Sequence, residues 1–325
     1  CCNFGMGSPD MFYPGKSAPK DPDTASDRFL AATVAFGHPG FLLHGREGEL
    51  RSYYMIQALA SLYTQTSADT IRYAGPDGET HDTSAAVAND VYKRSQIVTR
   101  YADGTITAVN GHPSERMRVK AGDVSLDLPP NGYWGSGADG AVRVFSGDVN
   151  GRRADLSVSP DYTYIDGRGV FTRFAEGASA GAAICRAVTN DLVEILTHKT
   201  TEAGFAFTIA EAVALDKTNC VIGVADVRAA RGLSYVRPVQ GAISYLVRRI
   251  PKPPSTLLEC DQDTVTPGQR VLVRGRQQHW LTIPDSVEPG DRLWYLLEQG
   301  WIDFTVARPA PLTVTDKTLA LPQLC

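Results

Sequence analysis

Residues 31–63 constrain the fold more than any other stretch of this chain. An apolar run, Ala31-Ala32-Thr33-Val34-Ala35-Phe36, crosses Gly37-His38-Pro39-Gly40 and resumes as Phe41-Leu42-Leu43. A run of this kind without alternation suits a strand covered on both faces, as in a parallel α/β sheet, so one buried strand is expected over 31–43. Residues 49–63 then carry Met55, Leu59 and Leu62 at three- to four-residue spacing beside Tyr54 and Ala58, which predicts an amphipathic helix. One strand and one helix cannot bury their faces alone. They need either further α/β repeats or the β domains that the rest of the chain predicts.

From residue 69 the texture changes to short strands separated by turns. Gln96-Ile97-Val98-Thr99-Arg100-Tyr101 and Thr105-Ile106-Thr107-Ala108-Val109-Asn110 flank Asp103-Gly104, a strong hairpin signal. Similar runs continue to about residue 247, at a spacing that indicates an antiparallel sandwich instead of βαβ units. Pro251, Pro253 and Pro254 then stiffen the backbone and remove donors, as an interdomain connector does. The organisation expected is a loop plus strand–helix segment over 1–66, with residues 23–29 opening a short helix. A β-sandwich follows over 67–250, and a small Ig-like β domain over 251–325.

Composition narrows the function classes. At 325 residues, 43% hydrophobic and 21% charged, the chain can build sizeable cores. Its net charge of −4 and lack of a basic run argue against nucleic acid as a partner. No apolar run approaches the roughly 20 residues of a membrane-spanning helix. The chain opens on Cys1-Cys2 without an initiator Met, as a processed or truncated product would. Its six cysteines show no CxxC spacing, which argues against a zinc or redox motif. An even number permits disulfides, such as Cys260 with Cys325, and equally permits idle thiols; the lean is to an extracellular or periplasmic place. No nucleotide, metalloprotease or serine-hydrolase motif is present, and no cofactor or metal is implied. The segment Pro160-Asp161-Tyr162-Thr163-Tyr164-Ile165-Asp166-Gly167-Arg168 reads as a turn, a calcium loop being the rarer alternative.

Four segments together carry a family resemblance. They are Ala35-Phe36-Gly37-His38-Pro39-Gly40-Phe41, Tyr53-Tyr54-Met55, the hairpin from Arg100-Tyr101-Ala102-Asp103-Gly104 into Val109-Asn110, and Leu128-Pro129-Pro130-Asn131-Gly132-Tyr133. In this order they resemble the C-terminal end of a glycoside hydrolase in which β-sandwich domains follow a (β/α)8 barrel. The resemblance covers roughly residues 30–175. It implies a mainly β fold, preceded by a short α/β segment like the last strand–helix unit of a barrel. It also implies a protein that acts on or binds glycans. A whole barrel takes about 250 residues, so at most its last part is expected here.

Under that resemblance His38 would sit at the C-terminal end of a final barrel strand, where such active sites are built. Asp10 would lie on the loop after a preceding strand over 2–6, and glycoside hydrolysis needs two carboxylates about 5–10 Å apart. Asp10 and His38 are therefore the candidate catalytic residues, with Glu47 or Glu49 as weaker carboxylates. The plainer alternative has Asp10 capping a turn and His38 bonding nearby backbone. Tyr53 and Tyr54 at the helix start, and Tyr133 and Trp134 after the Pro-Pro-Asn-Gly turn, are candidate sugar contacts, because pyranose faces pack on aromatic rings. Each is equally an aromatic of the right spacing for a core. Trp280, Trp294 and Trp301 are expected to include a core tryptophan of the last domain. The functional alternative is a non-catalytic structural or assembly protein, whose partner is another polypeptide or a second copy of the chain.

Overall fold

The computed structural model describes residues 5–7, 22–43, 45–189, 191–200, 202–249, 259–260, 262, 264–274, 278–297 and 300–307. Strand makes up 46% and helix 16%, the sheets are antiparallel apart from short parallel pairs, and the class is mainly β as expected.

The first part of the chain differs from the single strand expected over 31–43. Strand β1 (Gly5–Gly7) leads to helix α1 (Pro22–Ala35), strand β2 (Phe41–Leu43) and helix α2 (Arg46–Tyr63). The run 31–35 is the last turn and a half of α1. It lacks alternation because Leu30, Ala31 and Val34 share one helical face, all at most 1% exposed. Pro22 stands at the first helical position, where its fixed φ is an asset. Gly37 stops the helix with φ +64°: its N–H donates to Val34 O at 3.2 Å, and His38 N–H donates to Thr33 O at 3.0 Å. Those two bonds form a Schellman cap, which needs a residue at ease in the left-handed region. β1 and β2 pair in parallel, Gly5 opposite Phe41 and Gly7 opposite Leu43, with α1 as the crossover.

The predicted helix 49–63 is present as α2, begun one turn earlier after Gly45. It buries Arg51, Ser52, Tyr54, Met55, Ile56, Ala58, Leu59, Ala60 and Tyr63, a face too wide for a single contact. One side meets α1 and β2, where Ser52 Oγ accepts from Leu43 N–H at 3.1 Å. The other side lies on the large sheet.

That sheet has thirteen strands. In spatial order they are Val221–Val224, Glu211–Leu215, Ser244–Arg248, Leu192–His198, Ala182–Ala187, Tyr162–Asp166, Arg152–Val158, Arg143–Val149, Tyr133–Ser136, Ile106–Asn110, Gln96–Tyr101, Ala68–Ala74 and Thr80–Asp82. The Asp103-Gly104 hairpin forms as expected, with Gly104 at φ +85°. One face of the sheet carries α1 and α2 over Tyr101, Val109, Tyr133, Val144, Tyr164 and Ile184. The opposite face is covered in two places. The hairpin Met117–Ala121 with Val124–Leu128 packs over Ala74, Ala108 and Trp134. A five-stranded sheet, Thr172–Arg173, Gly177–Ser179, Ala203–Phe205, Leu233–Val236 and Val227–Ala230, closes over Ile165, Ala183, Cys185, Val193 and Ile195. That second contact is a β-sandwich.

Residues 259–306 form two three-stranded sheets around Val265, Val271, Val273, Ile283, Leu293, Phe304 and Val306. Cys220, on a turn of the larger sheet, inserts into the same core. Trp280 is 60% exposed under Arg270 and is no part of that core; the side chains of Trp294 and Trp301 lie outside the described residues.

Candidate functional site

The largest concentration of charge in the described residues lies under α2, on a row that crosses the sheet. Tyr133 pairs with Ser146, Ser146 with Asp155, and Asp155 with Asp166, so four neighbouring strands place these side chains in line. Residues two apart on a strand share a face, which adds Arg153 and Tyr164 to the row's surroundings, and Arg168 reaches in from the turn after Asp166. All are on the helix-covered face, and Tyr133, Ser146 and Asp155 are 0% exposed.

Arg51 descends from α2 into this row. Its Nε donates to Asp155 Oδ2 at 2.7 Å and its Nη2 to Asp27 Oδ1 of α1 at 2.5 Å. Ser146 Oγ donates to Asp155 Oδ1 at 2.6 Å. Arg168 Nη1 donates to Asp27 at 2.8 and 3.1 Å. Arg153 donates to the carbonyls of Pro130 and Asn131, which ties the Pro-Pro-Asn-Gly turn to the same network. One arginine thus joins both helices to the sheet.

Electrostatics separates the two carboxyls of the row. Burial disfavours the Asp155 charge, but Arg51, Arg168 and Arg153 more than restore it, and its pKa is held down to about 2. Asp166 is pushed up to about 6 by burial and by the Asp155 charge, against hydrogen bonds from Arg168 N–H and Tyr164 Oη. Burial also raises the Tyr133 and Tyr164 phenols. Two carboxyls pushed apart in this way mark acid–base pairs in active sites. Here no substrate can reach them, since Asp155 is 0% and Asp166 5% exposed beneath the helices. The arrangement's chemistry is that of a fastener between α/β and β parts.

The candidates from the sequence fall elsewhere. Asp10 lies outside the described residues. His38 is exposed on the loop that enters β2, at the opposite end from the one expected, and its carbonyl accepts from Tyr63 Oη at 2.7 Å. The correction follows from α1: once 31–35 is helix, β2 starts only at Phe41 and His38 precedes it. The geometric reason for an active-site place at a strand's C-terminal end is therefore gone. Tyr54 is a core residue, 8% exposed, stacked on Tyr164 at 5.6 Å and edge-on to Tyr162 at 4.9 Å. Tyr133 is wholly buried and offers no face to a ligand, because its strand runs under α2. Trp134 points to the opposite face and packs with the hairpin. Tyr53 is 39% exposed and the most accessible of the four aromatic candidates.

What the sequence reading missed is the buried row. Its signal was present: Ser146, Asp155 and Ser157 are polar residues on the inward phase of strands otherwise alternating. A second feature, equally unforeseen, is a cavity of about 400 Å3 between the two sheets of the sandwich, lined by Thr163, Glu176, Cys185, Phe207 and Arg249 among others. Among the described residues no group of His, Cys, Asp and Glu is placed to hold a metal ion, and no helix is long and apolar enough to cross a membrane. Comparison with family models, with curated proteins and with solved structures returned no match to this chain.

Proposed function

We propose that the chain belongs to a carbohydrate-active protein of glycoside hydrolase type, in which a barrel-like α/β unit is fastened to β domains that bind glycan. The observation that carries the reading is the order β1–α1–β2–α2. A parallel strand pair with a helical crossover and a following helix is one repeat of an α/β layer, and it runs directly into an antiparallel sandwich. The buried Arg51–Asp155 pair makes that junction rigid, as a protein needs when one part holds the polymer that another part processes. With the aromatic candidates Tyr54 and Tyr133 inside the core, glycan contact falls to the sandwich cavity and to Tyr53.

Isothermal titration of the chain with a panel of neutral and acidic oligosaccharides tests the reading. The expected result is saturable heat with at least one class; a flat titration across the whole panel would remove the carbohydrate assignment.

A non-catalytic assembly role is favoured by one observation. The outer strands Val221–Val224 and Val227–Ala230 follow each other and expose Ile222, Val224 and Val227 at 41%, 78% and 37%. Apolar side chains exposed on outer strands of this kind are places where other chains pack. Sedimentation velocity over a concentration series separates the readings, because assembly requires a species larger than the monomer.

A further inference from the structure

The sequence holds three Asn-Gly pairs, at 110–111, 131–132 and 150–151. In such a pair the backbone nitrogen of the glycine can attack the side-chain carbonyl carbon of the asparagine, because no Cβ on the glycine hinders it. The attack has three requirements. The glycine N–H must be open to water so that it can lose its proton, the asparagine amide must be free to turn, and the backbone must be free to move. The three pairs differ in all of these.

Two of the pairs are locked. Asn110 is wholly buried; its Nδ2 donates to Glu115 O at 2.8 Å and to Leu128 O at 2.9 Å. Its Oδ1 accepts from Gln96 Nε2 and from His112 N–H, each at 3.1 Å, and Gly111 N–H donates to Ser95 O at 2.8 Å. Asn131 is buried, its carbonyl accepts from Arg153 at 2.7 Å, and Gly132 N–H donates to Pro129 O at 2.8 Å. The third pair is open. Asn150 and Gly151 are the exposed two-residue turn between Arg143–Val149 and Arg152–Val158, with φ +51° and +76° as a type I′ turn requires. Among the described residues Gly151 N–H meets no backbone acceptor and the Asn150 amide holds no hydrogen bond. Nothing lies within 4 Å of where a Cβ on Gly151 would stand.

We propose that Asn150 is the site at which the folded chain deamidates, with water as the only co-reactant, and that the product loosens the hairpin it caps. Gly151 N bonds to Asn150 Cγ, the amide nitrogen takes up the N–H proton, and ammonia leaves a five-membered succinimide. Water then adds to one ring carbonyl and the C–N bond on that side breaks. Aspartate results if the new bond breaks again, isoaspartate if the original peptide bond does; nothing is oxidised or reduced. Isoaspartate lengthens the main chain by one carbon inside a two-residue turn, beside the closing pair Val149–Arg152. Asp148–Arg153 is the next pair, and Ser146–Asp155 lies two beyond it. The hairpin so loosened is the one that carries Ser146, Arg153 and Asp155 into the buried row.

The test is peptide mapping by mass spectrometry of the chain kept warm at mildly alkaline pH and sampled over weeks. Conversion of asparagine to an acid is expected first at 150, at least about tenfold faster than at 110 or 131, where reaction waits for a local opening. In guanidinium chloride the three pairs should convert at similar rates, because it is the fold that separates them. Asn150→Gly keeps a dipeptide suited to a type I′ turn, and should lose the early conversion with an unchanged melting temperature. The separated isoaspartate form should melt below Asn150→Asp, which carries the same charge on an ordinary backbone. Faster conversion at 110 or 131, no preference in the folded chain, or a preference for 150 that persists in guanidinium would overturn the site. An isoaspartate form that melts with Asn150→Asp would overturn the loosening of the hairpin.

Discussion

Arg51 and Asp155 show how much rests on two side chains. Each is nearly or wholly inaccessible, and their attraction acts in a medium that screens poorly. Removing one partner of a buried pair leaves the other charge desolvated, a loss of about 3–5 kcal/mol. Asp155→Asn is therefore expected to lower the urea midpoint by that equivalent, whereas loss of an exposed pair such as Arg118 with Asp127 should cost under about 1 kcal/mol. Equal effects at the two sites would show that the buried pair is not the fastener. Asp166 gives a pH signature of the opposite sign to Asp155. Its free pKa is about 3.9 and its folded value about 6, so the folded chain retains a proton that the unfolded chain releases. The contribution of Asp166 is present below about pH 4 and is lost as pH rises through 6. Asp155, depressed to about 2, contributes above about pH 4 and loses that contribution as pH falls. Unfolding measured at pH 4 and pH 7 should show a decline, on the order of 2 kcal/mol, that Asp166→Asn abolishes. A decline unchanged in the variant would place the titration elsewhere.

At the scale of elements, the sequence was legible where a local signal decided the outcome. The Asp103-Gly104 hairpin and helix α2 follow from turn chemistry and from the spacing of Met55, Leu59 and Leu62. The run 31–35 was misread because short apolar segments suit a buried strand and a buried helix alike. Its alanines, the Pro22 start and the Gly37 stop favour the helix, and only the last two are distinguishing marks. The charged row was illegible as a row, because sheet order is a long-range property: Tyr133 meets Ser146, and Ser146 meets Asp155, only once the register is set. The contact of α2 with the sheet depends on one missing side chain. A Cβ at Gly135 would stand 2.5 Å from Leu59 Cδ2, and Leu59 is wholly buried. Gly135→Ala is expected to cost about 1–3 kcal/mol by pushing α2 outward. In a Leu59→Ala background the same substitution should cost less, because the methyl it collides with is gone, and a double-mutant cycle reads that difference. A Gly135→Ala protein with unchanged melting temperature would contradict the close approach.

For the whole molecule, one wide sheet organises everything else: helices on one face, a hairpin and a second sheet on the other. Its two ends differ. Thr80–Asp82 is short and carries His81 and Asp82, whereas Val221–Val224 is uncharged and exposes Val224. A lysine at position 224 is the kind of edge protection natural sheets use, so Val224→Lys is expected to reduce self-association in light scattering without altering the melting temperature. Unchanged scattering would clear that edge of any role in association. The functional account stands on the sandwich instead, on the cavity between the large sheet and the strands around Phe205. Hydrogen–deuterium exchange of the chain with and without a saturating oligosaccharide measures that most directly. The account predicts slowed exchange confined to the segments around Thr163, Glu176 and Phe207 and to the Tyr53 end of α2. Exchange unchanged everywhere, or slowed only outside those segments, would contradict it.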